Sequence, residues 1–202
     1  MKANRSGSRT LLMSVLMSAP GPLIVGLGLM AGRSATQLAD FIRRSAELLA
    51  IIASYIVYRL TGAEPEDSLR RLRLERGVNL FVGAAMCVSG GAMLLIAVLS
   101  GDTETGNVIP GLTIAVLGVI ANTIFFFRYR QLSRLEHSAV LAVQSRLYGA
   151  KSLVDTCVTA ALLTVAMVPG SSAAYWLDKV GSVVVALYLM ACGIRTVKEQ
   201  RA

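Results

Sequence analysis

The sequence predicts an all-α, polytopic membrane protein of six transmembrane helices, and three observations carry that prediction. Of the 202 residues, 54% are hydrophobic and only 16% charged, and the mean hydropathy is +0.62. Soluble domains are seldom so apolar. The apolar residues fall in blocks of about 20, the length a helix needs to cross a hydrocarbon core of about 30 Å. Between the blocks lie short polar segments, such as RLTGAEPEDSLRRLRLERG and SGDTETGNVIPG, too small to bury a core of their own. Residues 1–202 therefore read as a single transmembrane domain whose first partner is the lipid bilayer.

The first span, at about 10–31, follows Lys2, Arg5 and Arg9 and contains Pro20 and Pro22. A basic start, an apolar run and AGRSA near residue 31 imitate a secretory signal. The run is longer than a signal core and carries two prolines, so it reads as a retained span. Those prolines remove backbone donors and predict a kink. The second span, 35–58, contains Asp40, Arg43, Arg44 and Glu47; the third, 78–100, contains Gly83, Gly90 and Gly91. Small residues there, and in IVGLGLMAG of the first span, let helices approach closely. The fourth covers 108–127, the fifth 139–168 with Arg146, Lys151 and Asp155, and the sixth 173–194.

Basic residues set the orientation, because cytoplasmic loops of membrane proteins are enriched in Lys and Arg. Lys2, Arg5 and Arg9, then Arg59, Arg70, Arg71, Arg73 and Arg76, then Arg128, Arg130 and Arg134, and finally Arg195, Lys198 and Arg201 all fall on one side of a six-span topology. The other side has Arg33 and Lys179, with Asp102 and Glu104 in its middle loop. Both termini are expected in the cytoplasm. The same pattern accounts for the net charge of +8 without a nucleic-acid partner, since no basic strip interleaved with aromatic residues exists. Short loops and the lack of a targeting presequence suit a bacterial inner membrane.

Other chemistry is thin. Cys87, Cys157 and Cys192 lie in apolar spans with no CxxC spacing, as small packing residues do. The lone histidine, His137, sits beside Glu136 at the edge of the fifth span and reads as structural. No Ser/His pair or aspartate-rich transferase motif is present, so the chain is not expected to be an enzyme, and nothing calls for a cofactor.

Charge inside a span is expensive unless paired or hydrated, and so points to function. SATQLADFIRRSAELLAIIASYIVY and SRLYGAKSLVDTCVTAALL carry nearly all of it. Residues four apart share a helix face, so Arg43 with Glu47, and Lys151 with Asp155, are each expected to pair along their own helix. If the two helices face each other, the four charges converge in one cluster of zero net formal charge.

At this point the sequence resembles the cation diffusion facilitators, six-span dimeric exporters that exchange divalent metal for protons. ADFIRRSAE resembles the opening of that family's second span, RRLRLERG with Glu75 its lead into the third, and YWLDKVGSVVVALYLMACGI its sixth. The resemblance covers essentially the whole chain and rests on the order and spacing of these segments. It implies a homodimer, a small and possibly divalent cation as substrate, protons as coupling ion, and a ligand set at Arg43, Glu47, Lys151 and Asp155.

Two of those four positions are cations, and neither a guanidinium nor an ammonium ligates metal, so no metal site is assigned with confidence. The family's cytoplasmic metal-binding domain is expected to be missing, since the chain stops soon after the sixth span. Counting forward from Ser138 puts Lys151 at the second acidic position, whereas counting back from the sixth span puts Asp155 there; Asp155 is the reading adopted. Two functions stay open. One is cation efflux by proton antiport, in which Glu47 and Asp155 bind the cation and Arg43 or Lys151 is a built-in countercharge. The other is a non-transporting subunit or assembly partner whose metal site has become intramembrane salt bridges. Asp40 pairs naturally with Arg43 or Arg44, or joins Glu47 in an alternative metal site.

Overall fold

The computed structural model describes residues 2–31, 35–62, 65, 68–99, 108–167 and 172–201. The described residues form seven helices: α1 (Lys2–Ser18), α2 (Pro20–Ala31), α3 (Ala35–Thr61), α4 (Leu69–Leu99), α5 (Val108–Leu135), α6 (Ala139–Met167) and α7 (Ser172–Arg201). The first two are one predicted span broken at its proline pair, which leaves the six-helix count intact. Ala19 N–H still donates to the Val15 carbonyl at 2.9 Å. Pro20 and Pro22 then offer no N–H to the carbonyls four residues back, and the helix is interrupted at Ala19 before it restarts.

Most helices run past the ends that hydropathy predicts. α4 begins at Leu69 rather than 78, α5 continues to Leu135 rather than 127, and α7 reaches Arg201 rather than 194. Apolarity marks where lipid ends, whereas the backbone ladder continues through Arg, Leu, Gln and Glu, all good helix formers. An Arg71–Glu75 pair at 3.0 Å supports the first turns of α4. Ser6–Leu27, Leu69–Val98 and Val180–Gln200 are long and apolar enough to cross a membrane among the described residues. Arg33, Asp102 and Glu104 and the side chain of Lys179, on which the sparsely basic side was counted, lie outside the described residues.

Two packing modes build the bundle. α4 and α7 lie backbone to backbone: a Cβ placed on Gly193 would stand 2.6 Å from the Gly83 carbonyl oxygen, and one on Gly90 would stand 2.8 Å from that of Ala186. Gly91 faces open space, so of the adjacent glycines only Gly90 serves the contact. α1 instead docks on α5 and α6 through hydroxyls. Ser14 Oγ and Tyr129 Oη are 2.6 Å apart and both residues are fully buried. Arg128 Nε donates to Thr10 Oγ1 at 3.0 Å, and Ser18 Oγ meets the Tyr148 hydroxyl at 3.3 Å. Thr10, Ser14 and Ser18 follow at four-residue steps, and so share one face of α1.

α5 and α6 form an antiparallel hairpin. Its turn places His137 at φ 45°, a left-handed conformation in which His is more tolerated than most residues. The histidine thus belongs to the turn, beyond α5. Ser138 then opens α6, its carbonyl accepting from Ala142 N–H at 3.1 Å. Glu136 in the same turn accepts a hydrogen bond from the Tyr58 hydroxyl at the end of α3.

Candidate cation site

A cavity of about 560 Å³ opens between α3, α5, α6 and the α1/α2 break. Met17, Ser18, Gly21 and Pro22 bring the broken helix to its wall. α3 contributes Arg43, Arg44 and Glu47, and α6 contributes Tyr148, Lys151 and Asp155. Four sequence-predicted site residues, Arg43, Glu47, Lys151 and Asp155, therefore share one chamber. The fifth, Asp40, belongs to α3, but its side chain lies outside the described residues.

Convergence is as expected, yet the pairing differs. Lys151 Nζ lies 3.3 Å from Glu47 Oε2 on the facing helix, and Glu47 is 5% exposed. The sequence reading joined Lys151 to Asp155 along one helix. Interhelix pairing wins because α3 and α6 are antiparallel and in register. Two turns away, Gln144 Nε2 donates to Ser54 Oγ at 2.7 Å, and the steps from Glu47 to Ser54 and from Gln144 to Lys151 are equal. The ammonium also lies 5.1 Å over the ring of Tyr148, a cation–π contact that holds it against the α6 wall.

Asp155 turns the other way, to α5. Its Oδ2 accepts from Asn122 Nδ2 at 2.6 Å. One turn before Asn122, Gly118 makes room: a Cβ there would stand 2.7 Å from that carboxylate oxygen. Asn122 and Gly118 are thus site residues that sequence reasoning missed. A signal existed, since Asn122 is a lone amide inside the apolar fourth span. Arg44 was also missed as a lining residue, because it was read only as a partner for Asp40. Arg146, counted with the span charges, instead reaches Glu199 at 2.6 Å where α6 meets the last turns of α7.

The chamber supplies oxygen atoms: two carboxylates, the hydroxyls of Ser18 and Tyr148, and one amide. Among the described residues no three of His, Cys, Asp and Glu stand together as a metal-ligand group. Among the described lining residues, Arg43, Arg44 and Lys151 stand beside the carboxylates of Glu47 and Asp155.

A helical membrane bundle with a charged chamber between its spans has the build of a transport protein, in which intramembrane ionisable residues mark the substrate path. Residues 11–202 match the cation efflux transmembrane domain family. The chain belongs to that family, the cation diffusion facilitators, and is a membrane-embedded cation transporter domain. No curated protein matches it.

Proposed function

We propose that the protein exports a small cation in exchange for protons, using Glu47 and Asp155 as the binding carboxylates and Lys151 as a resident countercharge. The Lys151–Glu47 bridge inside the chamber is the observation that carries this reading. An ammonium beside a buried carboxylate stands where a transported cation would bind. A cation that enters must displace it, and an ammonium stripped of its partner in a half-dry chamber is costly to keep charged. Binding and proton release are thereby competitive, which is the requirement for exchange. Arg43 keeps its charge throughout and tunes the field. The reading is of a transporter and not of an enzyme. By family likeness it works as a homodimer with both termini cytoplasmic, in an inner membrane of bacterial type.

The test is uptake into proteoliposomes loaded with a pH dye, challenged with zinc, manganese, iron, magnesium and sodium in turn, beside Asp155→Asn. A cation-dependent pH change that the variant loses supports exchange through this chamber. Silence with every ion in folded protein supports the second reading, a non-transporting partner subunit. The same bridge favours that reading in one respect, since it neutralises Glu47 without any bound ion.

A further inference from the structure

We infer that Asn79, Thr196 and Gln144 hold internal water between α4, α6 and α7, and that this water lies on the chamber's route to the basic end of the bundle. The first half stands on its own. The second rests on the cation-transport reading above.

The site follows from the α4–α7 seam. Gly83 and Gly193 face each other there, and a Cβ on Gly83 would also stand 2.9 Å from the Val197 side chain. Asn79 lies four residues before Gly83 and Thr196 three after Gly193, so each shares the face of its glycine. Because the two helices are antiparallel, the amide and the hydroxyl confront each other one turn beyond the glycine contact. Asn79 is 1% exposed and Thr196 is wholly buried. Neither Nδ2 nor Oδ1 of Asn79, nor Thr196 Oγ1, has a hydrogen-bond partner among the described residues, so the two side chains do not bond each other.

Gln144 stands at the same level on α6, which packs against both helices. Cys157 lies against Gly181, and Arg146 reaches Glu199; equal steps along this antiparallel pair bring Thr196 level with Gln144 to within a turn. Gln144 is wholly buried. Its Nε2 is spent on Ser54 Oγ, and its Oε1 is left without a partner among the described residues.

The chemistry of these atoms selects the ligand. Asn79 Nδ2 needs an acceptor, whereas Asn79 Oδ1 and Gln144 Oε1 need donors. A cation would serve the oxygens alone, and an anion the N–H alone. Water serves both, and buried water characteristically bridges polar groups that the chain leaves unsatisfied.

Position gives the water its role. Gln144 and Ser54 lie two turns, about 10 Å, from Lys151 and Glu47. Ala50, Ile51, Val82 and Leu147 fill the space between, all wholly buried. Gly118, Val158 and Leu162 carry the chamber the opposite way, away from the end where α3 finishes and α4 begins. A charge leaving toward that basic end therefore meets one apolar turn and then water, which shortens the stretch it crosses without hydration.

The experiment is hydroxyl-radical footprinting of the full chain in nanodiscs, with radicals generated in place by an X-ray pulse and thermal unfolding run alongside. Val82, one turn from Asn79, should be labelled severalfold more than Val185, which is equally buried in α7 but far from this level. Asn79→Leu with Thr196→Val should abolish that excess. Both replacements keep the approximate shape while removing unpartnered polar atoms, a change close to neutral for folding, and Thr196→Val alone serves where the pair fails to fold. Equal labelling of Val82 and Val185 in folded wild type would overturn the water site. In the proteoliposome assay the double variant should slow cation-dependent pH change severalfold, while Gly91→Ala should leave it unchanged. Labelling as expected with an unaltered rate in the double variant would overturn the route and leave the water standing. Wild type that labels as expected but exchanges no ion would instead overturn the transport reading, and the route with it.

Discussion

Arg146 on α6 and Glu199 on α7 meet at 2.6 Å, and Arg195 takes the other carboxylate oxygen of Glu199 at 3.0 Å. One acid thus clasps two helices and its own helix's last turns. The side chains of Arg146 and Glu199 are 35% and 39% exposed, so water screens the pair. Glu199→Gln is expected to cost less than about 1 kcal/mol. Thermal unfolding in detergent at low and high salt checks this: the loss should shrink as salt rises.

The Glu47–Lys151 bridge is another matter, because its carboxylate is almost wholly buried. Glu47→Gln or Lys151→Met alone should destabilise by up to about 3 kcal/mol, since each removes the nearest countercharge of a buried group. The double variant should recover most of that loss. A double-mutant cycle followed by thermal unfolding measures the recovery, and additive losses would show that the pair is hydrated.

Hydroxyl docking of α1 can be tested at Tyr129. Tyr129→Phe keeps the ring among Phe125 and Tyr148 but strips the fully buried Ser14 of its phenolic partner. The expected cost is about 1–3 kcal/mol. Adding Ser14→Ala should cost little more, because the two groups share one hydrogen bond.

Glycines of the α4–α7 seam should differ sharply. Gly193→Ala drives a methyl group into the Gly83 carbonyl and the Cys87 thiol and should destabilise by about 1–3 kcal/mol. Gly91→Ala meets nothing within 4 Å and should stabilise by up to about 1 kcal/mol through helix propensity. Chemical or thermal denaturation of the two single variants decides.

A converse test builds the site that the family resemblance implies. Lys151→His with Arg43→Asp places an imidazole and a carboxylate beside Glu47 and Asp155, a nitrogen and oxygen set that suits zinc. The double variant should bind zinc where wild type does not, as read by equilibrium dialysis. Absence of zinc binding in folded double variant would mean that Asp155 stays committed to Asn122.

Much of this was legible in advance, and the misses share a cause. Block length and charge placement gave six spans, and the proline pair gave the break at Ala19. Four of the chamber's charged groups followed from their positions on two helices. Their pairing did not, because a four-residue step shows which groups can meet along one helix and says nothing about the facing one. Only the antiparallel register of α3 and α6, visible in Gln144 and Ser54, selects Glu47 for Lys151. Asn122 was missed for a related reason. A neutral amide carries no excess charge to draw attention, and its value depends on the glycine one turn away and on a carboxylate from another helix.

The break between α1 and α2 does more than interrupt a helix. α1 ends at the chamber wall with the carbonyls of Leu16 and Ser18 deprived of N–H partners by Pro20 and Pro22, so its electronegative pole is uncapped there. α2 starts at the same wall, but with prolines at two of its first three positions it lacks half of the four N–H groups that make a helix start attractive to anions. The two poles of an ordinary broken helix offset one another. Here one of them has been muted, and the interruption adds a permanent electronegative tilt to the chamber.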